Sequence, residues 1–159
     1  MATGDPASIA REIIDSNSFM TLGTADASGL PWVSPVWFAT ADYRELFWVS
    51  RPERRHSRNL RERPQLSIVI FNSQVPIGAG EAVYLSAVAD RPEGSELDRA
   101  LEIFSDRSEA QGERRWARAD VEAPAPLRMY RATATEHFVL DSNDNRIPVS
   151  LWAGHGPAR

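Results

Sequence analysis

Residues 30–39 read Leu-Pro-Trp-Val-Ser-Pro-Val-Trp-Phe-Ala, and two prolines inside an alternating strand restrict the fold more than any other feature. Trp32, Ser34, Val36 and Phe38 alternate with Val33, Pro35, Trp37 and Ala39, the period of a half-buried strand. Pro31 and Pro35 have no amide hydrogen and cannot donate to a ladder. The segment therefore belongs at a sheet edge, at a bulge, or beside a ligand. It follows a second strand-like run, residues 19–25, across Asp26-Ala27-Ser28-Gly29, which is hairpin turn chemistry.

The rest of the chain continues in the same antiparallel manner. Asp5 and Pro6 mark the N-cap and first residue of a short helix that Ser16-Asn17-Ser18 stops. A turn at Thr40-Ala41-Asp42 leads to a strand at 45–50. A basic loop and helix at about 53–62 ends before Pro64. Residues 66–71 are apolar on both faces, which predicts a central strand or one covered by a partner subunit. Gly78-Ala79-Gly80 breaks the chain, and alternation resumes over 82–89.

The clearest helix is 95–104, with Leu97, Ala100, Leu101 and Phe104 on one face and Ser95 and Asp98 as a capping box. Residues 105–125 are polar and irregular, with Trp116 as the bulky anchor. Weak alternation at 127–137 and short runs at 138–140 and 147–151 read as the last strands, and the tail at 154–157 as frayed. Six or seven antiparallel strands with two or three helices point to a small barrel with flanking helices, in one domain with its core at about 6–151.

Charge concentrates in one place. Residues 51–63 hold six Arg (51, 54, 55, 58, 61 and 63) and two Glu, a local charge of +4 in a chain of net charge −4. A positive site on an acidic protein suits a specific anion, such as a phosphate, better than nucleic acid. The chain has no Lys, so Arg identity carries less weight here than Arg clustering.

Several classes are disfavoured. There is no Cys, and His56, His137 and His155 lack metal-ligand spacing, so no protein-held metal is expected. No run is long and apolar enough to span a bilayer, and the first residues lack signal-peptide character, so a cytoplasmic protein is expected. No Gly-x-Ser-x-Gly elbow or triad appears, and no catalytic side chain is assigned.

Taken in order, Thr21-Leu22-Gly23-Thr24, then residues 29–38, Trp48-Val49-Ser50, and Arg55-His56-Ser57-Arg58-Asn59-Leu60 before Pro64 resemble the FMN-binding split-barrel family. This is the pyridoxamine 5'-phosphate oxidase-like superfamily of flavin and deazaflavin oxidoreductases. The resemblance implies a mainly β (α+β) fold, a six-stranded antiparallel Greek-key split barrel with flanking helices. It also implies a homodimer with FMN at the subunit interface. By the same resemblance, Pro35, Val36 and Trp37 pass the flavin edge, Val49 and Ser50 contact the ring, and Arg55, His56 and Ser57 hold the phosphate.

The resemblance further implies hydride transfer to or from a small organic substrate, with a nicotinamide dinucleotide as reductant. Two departures bear on this. His56 stands where many members have Lys, which would make phosphate affinity depend on pH near the imidazole value of ~6.5. The end of the chain lacks the Arg/His/Trp pattern that grips vitamin B6 phosphate, which points away from a true pyridoxamine phosphate oxidase. The alternatives are a deazaflavin-dependent reductase of the same fold, against which the lack of Lys argues, and a non-catalytic flavin- or haem-binding protein with His137 or His155 as axial ligand. Trp116 and Trp152 are core residues or a far wall supplied by the second subunit.

Overall fold

The computed structural model describes residues 4–152. Eight strands form one antiparallel sheet: β1 (Phe19–Ala25), β2 (Pro31–Trp37), β3 (Ala39–Ala41), β4 (Glu45–Ser50), β5 (Gln65–Phe71), β6 (Ala82–Asp90), β7 (Arg128–Leu140) and β8 (Arg146–Val149). Four helices flank it: α1 (Pro6–Ser16), α2 (Arg55–Glu62), α3 (Gly94–Ala110) and α4 (Arg118–Val121). The sheet order is β2-β1-β5-β6-β7-β4-β3, with β8 beside β7. The expected count of six strands is exceeded because β3, of three residues, forms a separate ladder where a turn was expected, and β8 adds a four-residue strand near the run expected at 147–151.

Asp5 caps α1 by accepting from the Ser8 amide at 3.2 Å, as the Asp-Pro start predicts. The β1–β2 hairpin runs in register from Phe19 opposite Trp37 to Ala25 opposite Pro31. Its turn needs Gly29, whose φ of +88° is open to glycine at no steric cost. Asp26 accepts from the Ser28 and Leu30 amides across that turn.

The proline argument holds. β2 is a terminal strand of the order, and among the described residues no ladder joins its outer side over Pro31–Trp37. The chain then bends at Phe38 and re-enters the sheet as β3, paired to β4. One continuous segment thus serves β1 at one end and β4 at the other, leaving the β2–β4 side unladdered, consistent with a split barrel. Phe38, fully buried, fills the bend.

β4 separates two cores by alternation. Leu46 and Trp48 point into the barrel with Met20, Leu22, Ile68 and Val83. Phe47 points outward to Ala100, Leu101 and Phe104 of α3. Burying each such side chain contributes about 1.5–3 kcal/mol. Arg131 of β7 ties the same region together, bonding Asp90 of β6, Glu45 of β4 and Glu96 of α3.

Two helix expectations need correction. α3 starts at Gly94 after Glu93, with no side-chain cap, and continues to Ala110. Ser95 and Asp98 do not form a capping box, because the helix begins before Ser95, which lies inside its first turn, and the Asp98 carboxylate instead accepts from Arg118 at 2.7 Å. The supposed irregular stretch after Phe104 is therefore helical for another turn and a half. Residues 138–140 continue β7 without a break.

β5 lies between β1 and β6, with Leu66, Ile68 and Ile70 buried inward. Its outward residues Val69 and Phe71 share a face with Phe19, Val33 and Pro35 through the pairings of Thr21 with Val69 and Pro35, and of Gly23 with Val33. Phe19, Val33 and Phe71 are 58%, 67% and 49% exposed, a concentrated apolar surface.

Candidate functional site

A cavity of about 490 Å³ opens where the free side of β2 faces the end of β4. Pro35, Val36 and Trp37 supply one wall, and Val49, Ser50 and His56 another. Six of the eight residues named from the sequence therefore meet in one place. Strand β2 brings its three because no neighbouring strand covers it, and β4 brings two because it ends there.

The deep polar element is a pair. Ser50 Oγ lies 2.9 Å from His56 Nε2, and both residues are buried. Burial first, and the nearby Arg54 charge second, push the His56 imidazole below its ordinary value. His56 is therefore neutral at pH 7. The expected pH response near the unperturbed histidine value is corrected to one at lower pH. A neutral imidazole supplies one donor and one acceptor, so the Ser50 hydroxyl keeps a further bonding direction free.

The far wall comes from α3 and the segment after it. Trp37 meets Phe104 edge to face at 4.7 Å, and Phe104 meets Trp116 similarly at 5.4 Å. The Trp37 indole donates to Gln111 Oε1 at 2.8 Å, and Gln111 donates onward to Ser18. Arg114 lies over Trp116 at 4.1 Å and pairs with Asp120. Trp116 therefore serves its own chain's cavity. Trp152 packs elsewhere, against His137.

Sequence reasoning missed Arg54, Glu113 and Arg114 on the cavity wall. Clustering flagged Arg54 only as one of six Arg. Nothing in a polar, irregular stretch indicates that α3 turns residues 113–116 back toward β2.

Arg55 and Ser57 do not join His56 in this cavity. Successive helical residues project about 100° apart, so three consecutive residues of α2 face three directions. Arg55 lines a neighbouring depression with Asp26, Ser28 and Arg58, its guanidinium 4.4 Å above the Trp32 ring. Ser57 faces a third cavity on the opposite flank. Asn59 donates to Thr24 Oγ1 at 3.0 Å, a side-chain tie from α2 to β1.

His137, the candidate haem ligand, is 1% exposed beneath Trp152, and its Nε2–H donates to the Tyr43 carbonyl at 2.7 Å. Burial lowers its pKa to about 4, against the small opposing effect of that bond. It faces no cavity described above. His155 and the tail at 154–157 lie outside the described residues. Among the described residues no helix is long and apolar enough to cross a membrane.

The family model described as pyridoxamine 5'-phosphate oxidase matches residues 9–136. Comparison with curated protein sequences gives no match. Among solved structures, a heme binding protein from Mycobacterium smegmatis is similar with a TM-score of 0.74 and 24% identity, over 94% of this chain and 60% of that one. The heme storage protein HutZ from Vibrio cholerae is similar with a TM-score of 0.65 and 24% identity, over 81% and 90% of the two chains. A FAD-binding protein from Mesorhizobium loti is similar with a TM-score of 0.58 and 17% identity, over 80% and 88%. The chain thus spans 60% of the length of the first of these proteins, and identities below a quarter speak for the fold alone.

Proposed function

The chain belongs to the pyridoxamine 5'-phosphate oxidase family, and on that premise we propose that it is an FMN-dependent oxidoreductase acting on a small organic substrate. The observation that carries the proposal is the cavity between β2 and β4. It joins aromatic walls, an unladdered strand edge and a buried Ser50–His56 pair.

The residues present fit a flavin. Trp37, Phe104 and Trp116, packed edge to face on one another, offer an apolar aromatic wall to a ring system. The free side of β2 and the Ser50 hydroxyl offer hydrogen bonds to its polar rim. Arg54 and Arg55, with the first-turn amides of α2, offer positive charge to a phosphate. When bound, the flavin supplies hydride transfer.

The chain's own residues bind and orient. His56 holds Ser50 in one rotamer, and Gln111 holds the Trp37 ring against α3. Phe104 and Trp116 exclude water from the inner wall. A nicotinamide dinucleotide serves as reductant in this reading. The apolar surface of Phe19, Val33 and Phe71 adjoins the cavity through Phe19 and Pro35, which supports a homodimer with the second copy covering the cofactor.

A second reading is haem binding, supported by the two haem-named structural neighbours. An absorption spectrum of the purified protein, with mass spectrometry of the released ligand, distinguishes the two. FMN near one per chain is the expected result. A Soret band replaces the flavin proposal with haem, and deazaflavin fluorescence replaces FMN with that cofactor. A colourless protein that refuses added FMN rejects the flavin site.

A further inference from the structure

On the other flank of α2, a separate cavity of about 250 Å³ lies between that helix and the β6 end. Pro52, Leu60, Ala89 and Tyr130 give it apolar walls. Ser57 also lines it, 4% exposed, and the Ser57 Oγ has no hydrogen-bond partner among the described residues. A buried hydroxyl left unpaired is costly, so a partner from outside the chain is favoured there.

The same cavity carries unbalanced positive charge. Arg61, one turn beyond Ser57, reaches only the exposed Glu62 at 3.7 Å. Arg91 lines it too and forms no ion pair among the described residues. The acid at this rim, Asp90, is already held by Arg131 through bonds of 2.6 and 2.9 Å. Its charge is committed, while the two guanidinium groups remain available.

We propose that this cavity is a second binding site, for a small organic carboxylate. The carboxylate accepts from Ser57 Oγ and faces Arg61 and Arg91, and its apolar body lies against Tyr130, Leu60 and Pro52. Neutral apolar molecules leave Ser57 and the charges unanswered. Inorganic phosphate leaves the apolar walls unused. The site stands apart from the β2–β4 cavity, with which it shares no lining residue, and Arg61 alone also borders the depression that holds Arg55.

The test is a titration of the full-length protein, as purified, with sodium benzoate, followed by amide NMR. Saturable shifts are expected at the amides of residues 57, 60, 61, 89 and 91, with those at 36–37 and 113–116 unmoved. Ser57→Ala is expected to weaken binding roughly three- to tenfold. Arg91→Gln, an exposed charge, is expected to weaken it roughly two- to fivefold. Unchanged shifts elsewhere in each variant's spectrum show that it folds. Inorganic phosphate is expected to bind roughly tenfold more weakly or worse, for want of apolar contact. The proposal is overturned by a cavity that holds only water and never saturates, by shifts that map to the β2–β4 cavity, by affinity that neither variant changes, or by phosphate binding as tightly as benzoate.

Discussion

The Ser50 hydroxyl and the His56 imidazole, 2.9 Å apart, join the end of β4 to the first turn of α2. Burial keeps that imidazole neutral at pH 7. Its NMR titration midpoint is therefore expected below ~6.5, the unperturbed value. FMN affinity is expected to stay flat between about pH 7 and pH 8, since neither His56 nor the phosphate, with its second pKa near ~6, changes charge there. A change in Kd centred at or above the unperturbed histidine value would contradict this.

Arg55 lies over Trp32 and has no carboxylate partner among the described residues. Arg55→Ala is expected to weaken FMN binding by about 1.5–3 kcal/mol, the loss of one charge-assisted bond. Arg55→Lys keeps the charge but loses the planar stack, and is expected to cost only about 0.5–1 kcal/mol. Calorimetric titration of FMN checks both values, and equal affinity across the three proteins removes Arg55 from the phosphate site.

Trp37 and Gln111 lie far apart in sequence and share one hydrogen bond at the cavity wall. A double-mutant cycle of Trp37→Phe and Gln111→Ala is expected to show a coupling of about 0.5–1 kcal/mol in urea unfolding. Additive effects would mean that the bond does not hold α3 against β2.

His137 is buried neutral, with a pKa lowered to about 4 from 6.5. The unfolded chain binds a proton that the folded chain refuses between these values. The stability contribution is fully present above the unfolded value and is lost as pH falls through about 4. The loss approaches about 3 kcal/mol. His137→Gln is expected to flatten this slope in chemical denaturation curves measured from neutral to acid pH. An unchanged slope would assign the acid sensitivity to other groups.

The exposed Val33 and Phe71 sit on the apolar outer face beside the cavity. Sedimentation is expected to give a dimer at micromolar concentration, and Val33→Glu with Phe71→Glu to give a folded monomer that binds FMN more weakly. A wild-type monomer would remove the shared-site reading.

The strand plan was legible where backbone chemistry leaves few choices. Pro31 and Pro35 put β2 at an edge, Gly29 made the hairpin, and Asp5-Pro6 started α1. β8 was anticipated by the run at 147–151, whereas β3 was not legible, because its three residues overlap the expected turn at Thr40-Ala41-Asp42 and are held by pairing with β4. The capping box of Ser95 and Asp98 failed because α3 begins at Gly94, which places Ser95 inside its first turn.

Local sequence was enough to pick out the segments that line the β2–β4 cavity: the aromatic run of β2, the end of β4, and the Arg-rich start of α2. Local rules suffice for that, because alternation, proline and charge clustering act over a few residues. Where those residues point depends on helix rotation and on packing between distant segments. Arg55, His56 and Ser57 are neighbours in sequence, yet the helical turn sends them to three different cavities. The same packing turned residues 113–116 of an irregular stretch into a cavity wall. Helix rotation and long-range packing choose which side chains converge, and no short window of sequence contains that information.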